Sequence, residues 1–226
     1  MKSVPSTTAE PAPPYAPPDG PLTVLHQDEA LIFVDKPPGL LSVPGKTAAL
    51  SDCLETRLRR ACPGTRLIHR LDMDTSGVMV FARNWPAQKH VNAQFEARSV
   101  EKRYVALVAG IISKDQGRIA LPLIADWPRR PLQKVCFETG KPAVTRWQVL
   151  ARGSNQTRVA LYPETGRSHQ LRVHMKEISH PILGDRFYAT GEALTAAPRL
   201  WLHAETLTLT HPVGHERMCV TAETPF

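Results

Sequence analysis

HRLDMDTSGVMVFAR, residues 69–83, passes from a charged, turn-rich segment into an apolar run. Its second half, GVMVFAR (77–83), combines β-branched and aromatic residues behind a glycine, which predicts a buried strand. Its first half places Asp72 and Asp74 two residues apart beside His69 and Arg70, so these charges sit in the loop that enters the strand.

Outward from this point, short β-like runs recur at 22–26, 31–36, 102–110, 143–150, 157–163 and 200–210. LSDCLETRLRRAC and WPAQKHVNAQFEARS read as helices between them, the second with Asn84 as N-cap and Pro86 in its first turn. A third helix is expected from residue 168 to about 178. Leu171, Met175 and Ile178 form its buried stripe, and His169, Arg172 and Lys176 fall on its other side. Strands that cluster without steady strand-helix alternation predict an α+β fold rather than a doubly wound parallel sheet.

Residues 1–20 crowd prolines among small and polar residues, which predicts an extended or disordered tail, with one catalytic-size domain from residue 21 to 226. There is no apolar segment behind Lys2 to form a secretory signal. The longest uncharged apolar run, at 104–113, is about half of what a bilayer-spanning helix needs. Four cysteines with no CxxC pair predict a reduced, cytoplasmic protein. His211 and His215 flank Pro212 and Gly214 and read as turn residues, not metal ligands. The 226 residues carry 28 Lys+Arg against 21 Asp+Glu, a net charge of +7 that favours polyanionic partners.

Two local patterns suggest other chemistry. GLLSVPGKT (39–47) ends like a phosphate-binding loop, but five residues separate its glycines and Pro44 removes a backbone N–H that such a loop uses. DMDTS (72–76) approximates the signature of haloacid-dehalogenase-like phosphatases. That signature follows a strand, whereas here the strand comes after, and no DD pair is available downstream to complete a magnesium site.

A third pattern spans most of the chain. DKPPGLLSVPG, HRLDMDTSGVMVFAR, KRYVALV, TGRSHQLRVHM and HPILGDRFYA, in this order, resemble the pseudouridine synthases of the RluA type. The block DWPRRPLQKVCFETGKPAVT, with no extra N-terminal RNA-binding domain, is most similar to the branch acting on large-subunit (23S) rRNA and a tRNA anticodon stem-loop. The resemblance implies a mixed, largely antiparallel sheet bent into two lobes, with flanking helices and a central basic cleft. It further implies an isomerase that converts uridine to pseudouridine in RNA without cofactor or metal, working as a monomer.

The resemblance also assigns roles. Asp72, directly after HRL, becomes the catalytic carboxylate. Arg172 becomes the cation that orients it and keeps it charged, gripping it with two parallel hydrogen bonds, and Tyr104 becomes the ring packed on the target base. Leu202 is expected to line the base slot, and Arg70 to fill the gap left by an extruded base or to pair with a phosphate. His69 reads as a structural hydrogen-bonding residue. Further RNA contacts are expected from Arg129, Arg130 and Lys134 around Trp127, from Lys102 and Arg103, and from Arg167. Asp74 departs from the pattern and adds a negative charge beside the RNA path. The rival from another class is a non-catalytic RNA-binding or ribosome-assembly module, which would have little reason to keep Asp72, Tyr104 and Arg172 together.

Overall fold

The structure, a computed structural model, describes residues 15–226. In chain order its elements are β1 (Thr23–Gln27), β2 (Leu31–Lys36), α1 (Leu54–Ala61), β3 (Arg66–Leu67), β4 (Ser76–Ala82), α2 (Trp85–Glu96), β5 (Glu101–Ala109) and β6 (Gln116–Ala120). A small hairpin follows, β7 (Leu123–Ala125) and β8 (Gln133–Val135), then β9 (Val144–Arg152), β10 (Gln156–Pro163), α3 (Gln170–Glu177), α4 (Gly191–Thr195), β11 (Leu202–Thr210) and β12 (Arg217–Thr221). Ten strands form one sheet in the order β1-β2-β4-β11-β5-β10-β9-β6, with β3 beside β4 and β12 beside β11. Only β4 and β11 run parallel, so the sheet is mixed and largely antiparallel, in an α+β fold.

All seven residues of β4 are buried, which explains why GVMVFAR reads as a continuous apolar run instead of an alternating one. Val78, Val80 and Ala82 pack with Ala87 and Val91 of α2. Met79 and Phe81, on the opposite face, pack with Leu54 and Leu58 of α1. A second core joins Ala106 and Val108 of β5, Val159 and Leu161 of β10, and Leu171 and Met175 of α3. The two cores meet where β11 crosses from β4 to β5.

Gly77 makes that junction possible. Its φ is +114°, and a Cβ there would lie 2.2 Å from the carbonyl oxygen of Ala204 on β11. Only glycine lets the two backbones approach this closely.

Asn84 caps α2 as expected, its side chain accepting from Ala87 N–H. Other expectations need correction. Residues 1–14 of the Pro-rich segment lie outside the described residues, but 15–20 are tied to the domain. The Tyr15 hydroxyl donates to the Asp52 carbonyl and accepts from Leu41 N–H, and the Pro18 carbonyl accepts from Arg57. Helix α3 has no solvent face over its first six residues, because Gln170 to Met175 are all buried. Arg172 on its polar side is therefore as enclosed as Leu171, and only Lys176 of the expected polar side is exposed. Among the described residues, no helix is long and apolar enough to cross a membrane.

Candidate active site

The loop before β4 is fixed from below. Lys36, fully buried at the end of β2, donates through Nζ to the carbonyls of Pro37 and Leu40 (2.8 Å each) and of Met73 (2.9 Å). Gly39 N–H donates to the same Met73 carbonyl, and Ser42 holds the Leu71 backbone at both its N–H and its carbonyl. Burial pushes the Lys36 ammonium down to about 7, opposed by the negative charges of Asp74, Asp72 and Asp35. Asp72, held between two pinned residues, keeps a side chain 29 % exposed.

Arg172 reaches this carboxylate from α3. One of its Nη groups lies 3.4 Å from Asp72 Oδ2. The two-bond grip expected for Asp72 goes instead to Asp185: Arg172 Nε donates to Oδ2 at 2.8 Å and Nη2 to Oδ1 at 2.6 Å, both partners being buried. The reason is geometric. The fork fixes the guanidinium plane from Asp185, and in that orientation Nη1 is the donor that approaches Asp72. Asp185 also accepts from Phe187 N–H, and the guanidinium carbon sits 5.0 Å from the Phe187 ring centroid.

A cavity of about 150 Å³ opens beside Asp72, lined by Tyr104, Leu202, Lys102, Arg70, Arg172, Pro163 and the segment 165–171. That volume is on the scale of a single six-membered ring, and its wall is mixed, with Tyr104, Leu71, Leu171 and Leu202 beside the charged groups. Burial first, and then the charge of Asp72, push the Tyr104 phenol well above its ordinary range, so its hydroxyl keeps its proton at neutral pH. The segment 165–171 is shaped by buried Gln170. Its side chain accepts from Thr165 Oγ1 and Arg167 N–H and donates to the Val144 carbonyl and Thr145 Oγ1.

Two further depressions flank the cavity. One, about 710 Å³, carries Arg98, Lys102, Arg146, Arg167 and Tyr162. The other, about 320 Å³ on the far side of Asp72, is lined by Arg70, Met73, Asp74, Pro131, Arg186 and Phe187 among others. Asp72 lines both the slot and the far hollow, and exposed Arg70 touches both as well.

Of the expected site residues, Asp72, Tyr104, Arg172, Leu202, Arg70, Lys102 and Arg167 line one cavity. Arg103 does not. It alternates to the opposite face of β5 from Lys102 and Tyr104 and is consumed in an ion pair with Glu205 of β11. Arg129, Arg130 and Lys134 lie on the β7–β8 hairpin, away from the slot. Arg129 (2.6 Å) and Lys134 (3.6 Å) pair with the buried carboxylate of Asp126, and Arg130 stacks on exposed Trp127. Asp74 is not a free negative charge, since Arg186 Nε lies 3.0 Å from it. His69 is structural as expected: its Nε2 accepts from Val80 N–H, it stacks on Phe95, and burial lowers its pKa to about 3. Lys36, Asp185 and Arg186 are the site residues that sequence reasoning missed. All three lie inside or beside quoted motifs, DKPPG and HPILGDRFYA, which was the available signal.

Comparison with known proteins fits this geometry. The family model for RNA pseudouridylate synthase matches residues 30–177, which hold the pinned loop, Tyr104 and α3. The chain belongs to this family. It is 56 % identical over 214 residues to the dual-specificity RNA pseudouridine synthase RluA of Salmonella typhimurium, covering 94 % of this chain and 98 % of the relative. The protein of that name from Escherichia coli K12 is 52 % identical over the same shares. Among solved structures, human RNA pseudouridylate synthase domain containing 1 superposes with a TM-score of 0.77 at 29 % identity, over 96 % of this chain and 87 % of that one. Membership, together with β4 following DMDTS rather than preceding it, excludes the phosphatase reading.

Proposed function

We propose that the chain isomerises uridine to pseudouridine in large-subunit rRNA and in a tRNA anticodon stem-loop, as a cytoplasmic monomer, with Asp72 as the catalytic carboxylate. The observation that carries this is the one cavity on which Asp72, Tyr104 and Arg172 converge from a loop, a strand and a helix. In the reaction the N1–C1′ bond breaks and a C5–C1′ bond forms. A proton leaves C5 and one arrives at N1, so substrate and product are isomers and nothing else is consumed. An ionised carboxylate at the ribose serves whether it attacks C1′, attacks the base or takes the 2′ proton. The Arg172–Asp185 fork keeps that carboxylate beside a cation that cannot lose its proton.

Tyr104 and Leu202 give the detached uracil an apolar slot in which it can turn. A base reaches the slot only when extruded from its stack, and Arg70 at the rim is positioned to fill the gap. The dual specificity in the relatives' names supports two kinds of RNA target. The experiment is to map pseudouridine in the rRNA and tRNA of cells with and without this protein. A site missing from each RNA is expected, and unchanged maps of both would refute the substrates.

The net charge of +7 and the Lys and Arg side chains around the slot predict strong salt dependence, because they displace counterions condensed on phosphates. Arg130→Ala tests the hairpin more cleanly than Arg129→Ala, since Arg129 also neutralises buried Asp126. With Arg130→Ala one fewer phosphate is neutralised, and the slope of log affinity against log salt is expected to flatten by about 0.7–0.9. An unchanged slope would place the hairpin off the RNA path.

A further inference from the structure

We infer that Tyr188 and His169 form a relay, anchored on the β7–β8 hairpin, that positions Asp72 by presenting an N–H to its carboxylate. The inference rests on the proposed role of Asp72 and assigns it a second orienting group besides Arg172.

Hydrogen-bond geometry carries the relay. The backbone N–H of Gln133, at the start of β8, can only donate, and it donates to the Tyr188 hydroxyl oxygen at 2.8 Å. The remaining close partner of that hydroxyl among the described residues is His169 Nδ1, at 2.7 Å. The tautomer that uses the hydroxyl both as acceptor from Gln133 and as donor sends the Tyr188 proton to Nδ1, and the imidazole then carries its own proton on Nε2. Nε2 lies 3.9 Å from Asp72 Oδ2, the same oxygen that Arg172 approaches to 3.4 Å. A closure of about 1 Å makes this a hydrogen bond, a tightening common when a substrate-free site receives its ligand.

Two independent features agree. His169 is clamped, its ring stacked on Phe187 and edge-on to Tyr188. Its backbone takes the left-handed conformation (φ 52°), uncommon for a residue with a Cβ, and from there the ring reaches to 3.9 Å from Asp72. Burial also favours the neutral ring that the relay needs. The charges around it are Asp72, Asp185 and Asp74, which would favour protonation, and Arg172, which opposes it. The relay connects Gln133 of the basic hairpin, through two side chains, to the carboxylate at the slot.

The test is single-turnover isomerisation of a tritium-labelled uridine stem-loop with enzyme in excess, RNA affinity and thermal stability being measured in parallel. Tyr188→Phe is expected to slow turnover about tenfold, the scale of one orienting hydrogen bond to a charged group, with affinity and stability near wild type. His169→Asn tolerates the left-handed backbone but lacks an N–H at the position of Nε2, and is expected to be slow as well. His169→Gln places an amide N–H there and is expected to recover most of the rate, with Tyr188→Phe adding no further loss to it. A wild-type rate in Tyr188→Phe, or equal rates in the Asn and Gln variants, would overturn the relay, as would losses that appear only in affinity or stability. A wild-type enzyme that forms no pseudouridine would instead defeat the proposed function.

Discussion

Asp185→Ala is expected to cost roughly 3–5 kcal/mol of stability, because it strands the Arg172 guanidinium, 1 % exposed, without its fork partner. In a domain of this size that lowers the melting temperature by roughly 6–20 °C, measurable by thermal denaturation at fixed pH. Two effects add: a buried cation loses its charge partner, and Phe187 N–H loses an acceptor. Catalysis falls in the same variant, since nothing then holds the guanidinium edge toward Asp72. Replacing both partners separates the two losses. Arg172→Met with Asp185→Leu removes both charges together and fills their space with apolar groups, so stability recovers toward wild type, as buried ion pairs replaced as a unit often allow. Activity does not recover, because Asp72 has lost its cation. An Asp185→Ala protein as stable as wild type would show that the fork is not a keystone of the fold.

How much of this was legible in the sequence depended on the range of each interaction. The strand at 77–83 and the loop before it were legible because period, glycine and charge are local. Gly77 announced a close approach, although its partner Ala204 could not be named from 127 residues away. Helix α3 was legible as a helix but not in its burial. Periodicity assigns one face to the core, yet Leu171 packs on β5 and β10 while His174, three residues on, bonds Thr145 and the Leu121 carbonyl. A helix enclosed on several sides defeats a two-face pattern.

The same limit explains Arg172. Its motif indicated the role, but only the fold shows that Asp185, 13 residues later, takes its two-bond edge. Lys36 was hidden because its partners are carbonyls, which carry no side-chain signature. The short strands β6, β7, β8 and β12, of three to five residues, are too brief for alternation to show, and Gly117 interrupts β6. Asp74 read as an uncompensated charge because Arg186, which neutralises it, is 112 positions distant.

The aspartate pair of the opening stretch supplies the most direct test. Asp72→Asn preserves shape and hydrogen bonding but supplies neither a negative nucleophile nor a base, and the slot beside it keeps its lining. Pseudouridine formation is expected to fall below detection while melting temperature and RNA affinity stay close to wild type. Asp74→Ala frees Arg186 beside the far hollow and is expected to keep most of the activity, with RNA binding unchanged or tighter. The decisive measurement is tritium release from a labelled uridine stem-loop under single-turnover conditions, wild type against both variants. Release by wild type and Asp74→Ala with none from folded, RNA-binding Asp72→Asn is the predicted result. An active Asp72→Asn beside an inactive Asp74→Ala would contradict the assignment of Asp72.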